Sequence, residues 1–323
     1  MKEPTQGPRM QRAIPSKKGR RQRQAGIIVR VLSACVLLSL VSGIPGRALQ
    51  TETQAATQAQ TQGLPQGTPQ SWAEAAARNE VAIIRQQGTF SVRYLEHKID
   101  SKGDTVRIVI ESKQGGVARL IQRNGKPISR SEDTAERARL QYDLDHPEDF
   151  LRHHRKDGSW RANAIQVVQL MPQAMINTFG PGQPQPPGAT TRQVVLDYRP
   201  NPKFHPPTML ADLLTGIEGR VWIDAETQRV TRIEGHVLHP VDFGLGVVAR
   251  LAPGGTLEFE QIDAGSGHWM YSHLSEHIVV RALMVKTMPE NVEDSSSQVE
   301  LLPSLLSYQD AIRKLLAPTP PVP

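Results

Sequence analysis

The order of apolar and polar residues changes period several times along the chain. Residues 49–70 are Gln, Thr, Ala, Gly and Pro with almost no large apolar side chain, so this stretch cannot offset its ordering entropy and is expected to be a flexible tether. Ser71-Trp72-Ala73-Glu74 has the spacing of a capping box, and Ala75 to Ile84 are good helix formers, which predicts a helix. The period then drops to two. Phe90, Val92 and Tyr94 alternate with Ser91, Arg93 and Leu95, and Val106, Ile108 and Ile110 with Arg107, Val109 and Glu111, with Asp100 to Asp104 supplying the turn between two strands. Gly115-Gly116, the segment VARLIQR and Asn124-Gly125 add a turn, a third strand and a tight turn.

A helical excursion follows. Ser129 and Glu132 form a second capping box, Pro147 suits an early helical position, and Ile165, Val168, Met171 and Met175 recur at helical spacing, with Pro172 expected to kink or split the helix. GPGQPQPPG at 180–188 reads as a loop. Strands then return as RQVVLDYRP, GRVWID, RVTRIEGHVL, TLEFEQI and HWMYSHLSEHIVVRALMVK, with a hairpin around Ala225 to Gln228. An antiparallel meander with a helical insertion is an α+β plan. The expected layout is one domain over 71–317, its helical insertion at about 129–188, and a proline-rich tail at 318–323.

The N-terminus changes how the charge is understood. Residues 1–30 are basic, and Val31 to Gly46 carry no charge between Arg30 and Arg47. Sixteen residues fall short of the ~20 that span a bilayer. Basic segment, short apolar core and small residues read as an export signal, with cleavage expected after Ala48 and the true start at Met1 or Met10. Retention of 31–46 as an anchor is one alternative. The other is lipidation of Cys35, the only cysteine, which stands in Leu32-Ser33-Ala34-Cys35 but too early in the apolar run. The whole chain is +6. Ten of its 38 Lys and Arg and one of its 32 acids lie in 1–48, which leaves 28 against 31, a net charge of −3. The case for nucleic acid thereby loses its support. A mature chain without cysteine uses no disulfide, thiol nucleophile or Cys-bound metal.

Catalytic motifs are missing. No G-x-S-x-G or H-E-x-x-H occurs, and the prolines of 180–188 remove the N–H donors a phosphate cradle needs. His236 with His239 and His273 with His277 have plausible ligand spacing but poor geometry on a strand; His153-His154 abuts Arg152 and Arg155. Glu258 and Glu260 share a strand face and suit a solvated surface. The expectation is therefore no enzyme, no catalytic residue, no cofactor and no metal.

Apolar surface remains. The segment GIEGRVWIDAETQRVTRIEGHV resembles the hairpin of outer-membrane lipoprotein-sorting proteins, the LolA-like superfamily, through Gly219, Val221, Trp222, Ile223, Asp224, Arg232, Ile233 and Glu234. The order of RLIQRNGKPIS, YRPNPKFHPP, LAPGGTLEFEQ and HWMYSHLSEH is similar to exported bacterial proteins of that type. The resemblance implies a curved antiparallel β half-barrel, its concave face covered by helices, that holds a lipid or lipoprotein acyl chain. Peripheral or transient membrane contact in a periplasmic or secreted setting would follow. The expected cavity residues are Val92, Tyr94, Ile108, Ile110, Met171, Met175, Trp222, Phe259 and Ile278. The alternatives are an envelope interaction module with a filled core, or a hydrolase built on the histidines.

Overall fold

The computed structural model describes residues 65–244, 248–282 and 286–317. The expected export signal, Cys35, most of the tether and the tail lie outside the described residues. Four α-helices are present there: α1 (Pro69–Gln86), α2 (Arg130–Asp145), α3 (Pro147–Ala174) and α4 (Tyr308–Leu316), with a 3-10 turn at Ala211–Thr215. The strands are β1 (Val92–Asp100), β2 (Gly103–Ser112), β3 (Gly115–Arg123), β4 (Lys126–Pro127), β5 (Met175–Phe179), β6 (Gln193–Pro200), β7 (Ile217–Asp224), β8 (Val230–Val237), β9 (Val241–Phe243), β10 (Ala249–Leu251), β11 (Thr256–Asp263), β12 (Trp269–Ala282) and β13 (Lys286–Leu301). All 13 belong to one antiparallel sheet that does not close into a barrel, in the order β4-β3-β2-β1-β13-β12-β11-β8-β7-β6-β5, with β10 beside β12 and β9 beside β10. The chain is α+β. Among the described residues no helix is long and apolar enough to cross a membrane.

Local signals place several boundaries. Thr68 caps α1: its Oγ1 accepts from Ser71 N–H at 3.1 Å while Thr68 N–H donates to Ser71 Oγ at 3.0 Å. The capping box thus lies three residues before the one expected at Ser71-Glu74, because Pro69 is pre-organised for the first helical position. Ser129 and Glu132 cap α2 as the spacing predicts. Pro172 does not split α3; it falls in the last turn, and its carbonyl accepts from Gln70 Nε2 at 3.0 Å. Met175 is not helical but opens β5. Asn124 and Gly125 both have positive φ, 50° and 72°, as the β3–β4 hairpin turn requires.

The register decides which side chains share a face. Tyr94 lies opposite Val109, whereas Ile108 pairs with Leu95 and Ile110 with Arg93. Directly opposed residues share a face, so Val92 and Tyr94 point away from Ile108 and Ile110. The expectation that all four line one cavity fails because both faces of β1 and β2 are covered. Ile108 and Ile110 pack with Val117 under α4 (Tyr308, Ala311, Ile312 and Leu315), joined by Leu140 and Phe150. The Phe150 and Tyr308 rings stack at 4.1 Å. Val92, Tyr94 and Val109 form a separate cluster on the other face. That face continues through Asp294, Leu274, Phe259, Ile233, Val221 and Leu196 to Phe179, and is called the inner face below.

Side chains cap the open edges of the sheet. On β3, Glu136 accepts from Leu120 N–H at 3.0 Å, and Arg139 donates to the Ala118 carbonyl at 2.6 Å. In the 180–188 loop, the Gln183 and Gln185 carboxamides each give and take a hydrogen bond with the backbone of Val195 and Gln193, at 2.7–3.0 Å. These contacts occupy edge groups that would otherwise invite pairing with another chain.

Gly219 and Gly235 face each other across β7 and β8. The Tyr198 hydroxyl crosses this gap and donates to the Glu234 carbonyl at 3.0 Å. A Cβ on Gly219 would stand 1.9 Å from that carbonyl oxygen, a backbone clash that no rotamer relieves. Gly219→Ala is expected to destabilise the domain by at least about 1–3 kcal/mol, read as a lower urea midpoint; an unchanged midpoint would show that β7 and β8 do not approach so closely.

Candidate functional site

A mainly apolar, partly open cavity of about 170 Å³ lies between α1, α3 and the inner face of β5–β8 and β11. It follows from the side chains α1 presents. Ala73, Ala76, Ala77, Glu80, Ile83 and Ile84 recur at helical spacing along its inward face. Three of the six are alanines, and of these Ala73 and Ala76 also pack in the cluster that holds Val194, Leu196, Ile223 and Val230 of the sheet. From α3, Ala164, Val167, Val168 and Met171 close the other side. The sheet supplies alternate residues of each strand, among them Val221 and Ile223 on β7, Ile233 on β8 and Phe259 on β11. Leu213, Leu214 and Ile217 close the end beside the 3-10 turn.

Polar groups in this wall are few. Glu80 is its only carboxylate. Glu80 Oε1 accepts from Gln261 Nε2 at 2.8 Å and from Val230 N–H at 3.2 Å. Burial raises the Glu80 pKa from 4.5 to about 7, against the lowering effects of those two bonds and of Arg229. Asn177 on β5 also lines the cavity, and its buried Nδ2 has no hydrogen-bond partner. Farther along the inner face, fully buried Asp294 takes a 2.8 Å bond from Lys98 Nζ. Burial, with Glu96 adding to it and Lys98 opposing it, raises Asp294 to about 7.

Larger clefts are more open and lined by several ion pairs. One of about 630 Å³ is lined by Asp197 with Arg220 and by Glu218 with His236; another of about 750 Å³ is lined by Glu136 with Arg139 and by Glu96 with Arg107. Arg199 in the first cleft and Lys102 in the second stand outside these pairs.

Of the expected cavity residues, Met171, Met175 and Phe259 line the 170 Å³ space. Val92 and Tyr94 pack in their own cluster on the inner face, and Ile108 and Ile110 lie under α4. Ile278 packs with Leu213, Val237, Phe243, Leu251 and Val280, where β9 and β10 fold against β12. Trp222 points to the opposite face, since its neighbours Val221 and Ile223 point inward; its Nε1 donates to the Pro184 carbonyl at 2.8 Å, and the Arg220 and Arg232 guanidinium groups lie 5.9 and 5.6 Å from its ring centroid. The contribution of α1 was not expected, although its apolar spacing was visible. What could not be seen is that its alanine face lies over β7 and β8.

The histidines stay apart. His236 pairs with Glu218 at 2.9 Å and His277 with Glu293 at 3.0 Å. Among the described residues no three His, Cys, Asp or Glu side chains converge as a metal site would need. Arg232 bridges Glu258 and Glu234, at 2.6 and 2.8 Å, and also Glu260. No family model, curated protein or solved structure matches the chain.

The Glu80 shift has a definite sign. Between pH 4.5 and about 7 the folded state holds a proton that the unfolded chain releases, so this group's contribution to stability falls as pH rises through that window. Glu80→Gln keeps an acceptor for Gln261 and Val230 without the ionisation. It is expected to be more stable than the parent at pH 8, by about 1–3 kcal/mol, and near neutral at pH 4.5. Urea midpoints at the two pH values check this; an equal effect at both would show that Glu80 ionises as readily in the fold as in the unfolded chain.

Proposed function

We propose that this chain is an exported envelope protein that shelters an apolar ligand, a lipid or lipoprotein acyl chain, in a LolA-like half-barrel without performing chemistry on it. The mainly apolar cavity between α1, α3 and the sheet is the observation that carries this reading. It is lined almost wholly by aliphatic and thioether side chains, and the two methionines adapt to irregular apolar shapes. The setting is periplasmic or secreted, reached through cleavage near Ala48, in keeping with the basic and apolar N-terminal segments.

Volume limits what enters in this conformation. About 170 Å³ is close to the ~150 Å³ of a dry protein cavity that holds benzene, and below the ~300 Å³ where drug-sized sites begin. A short chain or the end of a longer one fits. A full acyl chain needs α1 and α3 to part, and the alanine-rich face of α1 gives up little interdigitation when they do.

Native mass spectrometry of the purified protein with added single-chain lipid tests the reading. Uptake by the parent and its loss in Ala77→Phe, which fills the cavity from α1, is the expected pair of results. Ile312→Ala serves as the control: it opens the separate α4 core, with an expected cost of about 2–5 kcal/mol, and should leave uptake intact. No uptake by the parent would favour the interaction module with a filled interior.

A further inference from the structure

One feature of the cavity is not explained by shelter for hydrocarbon alone. A wall meant only for apolar contact has no use for a carboxyl group, which carries a desolvation cost of several kcal/mol when ionised. Glu80 nevertheless sits on the inward face of α1, one turn from Ala76 and Ala77. Its position is fixed. The adjacent Asn79 donates through Nδ2 to the carbonyls of Thr227 at 3.1 Å and Gln228 at 2.9 Å, which fastens this part of α1 to the β7–β8 hairpin. Both hydrogen bonds to the Glu80 carboxyl end on Oε1, from Gln261 and Val230. Among the described residues Oε2 takes none.

We propose that Glu80 and Gln261 form a headgroup subsite, and that the ligand is a single-chain amphiphile with a carbonyl head, such as a fatty acid, ester or amide, rather than a bare hydrocarbon or a two-chain lipid. This rests on the reading of the cavity as a ligand site. Gln261 and the Val230 N–H hold Oε1, so the proton of the neutral carboxyl resides on Oε2 and is donated to the head's carbonyl oxygen. The chain runs away from that point over Ile233, Val221 and Phe259 toward Met171 and Met175. Burial supports the neutral form, since it raises the affinity of Glu80 for its proton. The volume admits one short chain or the end of a longer one, and not two chains.

Asn177 is the competing head site, because it too lines the cavity and has a donor without a partner. The register separates the two. Asn177 lies opposite Tyr198 on β6, in the row that runs through Gly219 and Gly235 to Leu257, whereas Gln261 stands four residues farther along β11. Four residues of strand are about 13 Å, so one small head cannot occupy both positions.

Displacement of a bound fluorescent apolar dye at pH 6 by methyl decanoate and by decane, matched in chain length, tests the assignment. The parent is expected to prefer the ester by about 5–10-fold, the worth of one hydrogen bond. Glu80→Leu should abolish the preference while decane still binds, and Glu80→Gln, which keeps a donor, should retain it. A preference that survives in Glu80→Leu and disappears in Asn177→Leu would overturn the proposal by placing the head on β5. Equal binding of ester and alkane by the parent would overturn the head subsite but leave the cavity reading standing. Binding of neither probe would remove both. Should Glu80→Leu fail to fold, the parent's ester-to-alkane ratio and the Asn177→Leu result still decide.

Discussion

The sheet depends on the pairing of β13 between β1 and β12. Without it the chain has an N-terminal meander, β1 to β4, and a C-terminal one that ends in β12, and nothing joins them edge to edge. β13 pairs along Glu293 to Leu301 with both neighbours or with β1, while Lys286 to Val292 have β12 alone. Pro289 falls in that one-sided stretch, where a missing N–H costs no ladder bond on the open side. The register also directs Asp294 inward with no solvent exposure, and the Lys98 ammonium on β1 answers it. The buried pair reinforces the same join that the backbone makes.

From that join the two parts of the sheet acquire different interiors. Strands β1 to β3 are covered on the outer side by α4 and capped along the edge by α2. Strands β5 to β8 and β11 are covered on the inner side by α1 and α3. Long α3 belongs to both, with Phe150 in the α4 core and Val167 to Ala174 against the cavity strands. The cavity lies where α1 presents Ala73, Ala76 and Ala77 beside α3 and the sheet.

Polar groups follow a consistent rule. On the outer face of the C-terminal strands, carboxylates and guanidinium groups pair with one another, as around Arg232, and solvent screens them. On the inner face, polar side chains are few, and the buried Nδ2 of Asn177 has no partner. Glu80 borders the same cavity, and burial favours its neutral carboxyl. A group that pays this desolvation cost beside a void is more readily understood as part of a binding surface than as part of a structural core.

Much of the local structure was legible in the sequence. Period-two alternation marked β1, β2 and β11. Ser129 with Glu132 marked α2, and Asn124-Gly125 marked a hairpin, because these signals act over three or four residues and need no distant partner. β13 was not legible: its run of Glu, Asp, Ser and Gln has low strand propensity, and it is a strand because β1 and β12 bind both of its edges. The cavity was legible only in part. Met171, Met175 and Phe259 could be named from their spacing, but Trp222 and Ile108 could not be excluded, since a period of two says which residues share a face and not which face looks inward. That choice belongs to register and to the placement of α1, contacts between residues more than a hundred positions apart. The sequence alone determined the elements that rest on local signals and their polarity; the tertiary structure made β13 a strand and decided which faces meet and where the cavity lies.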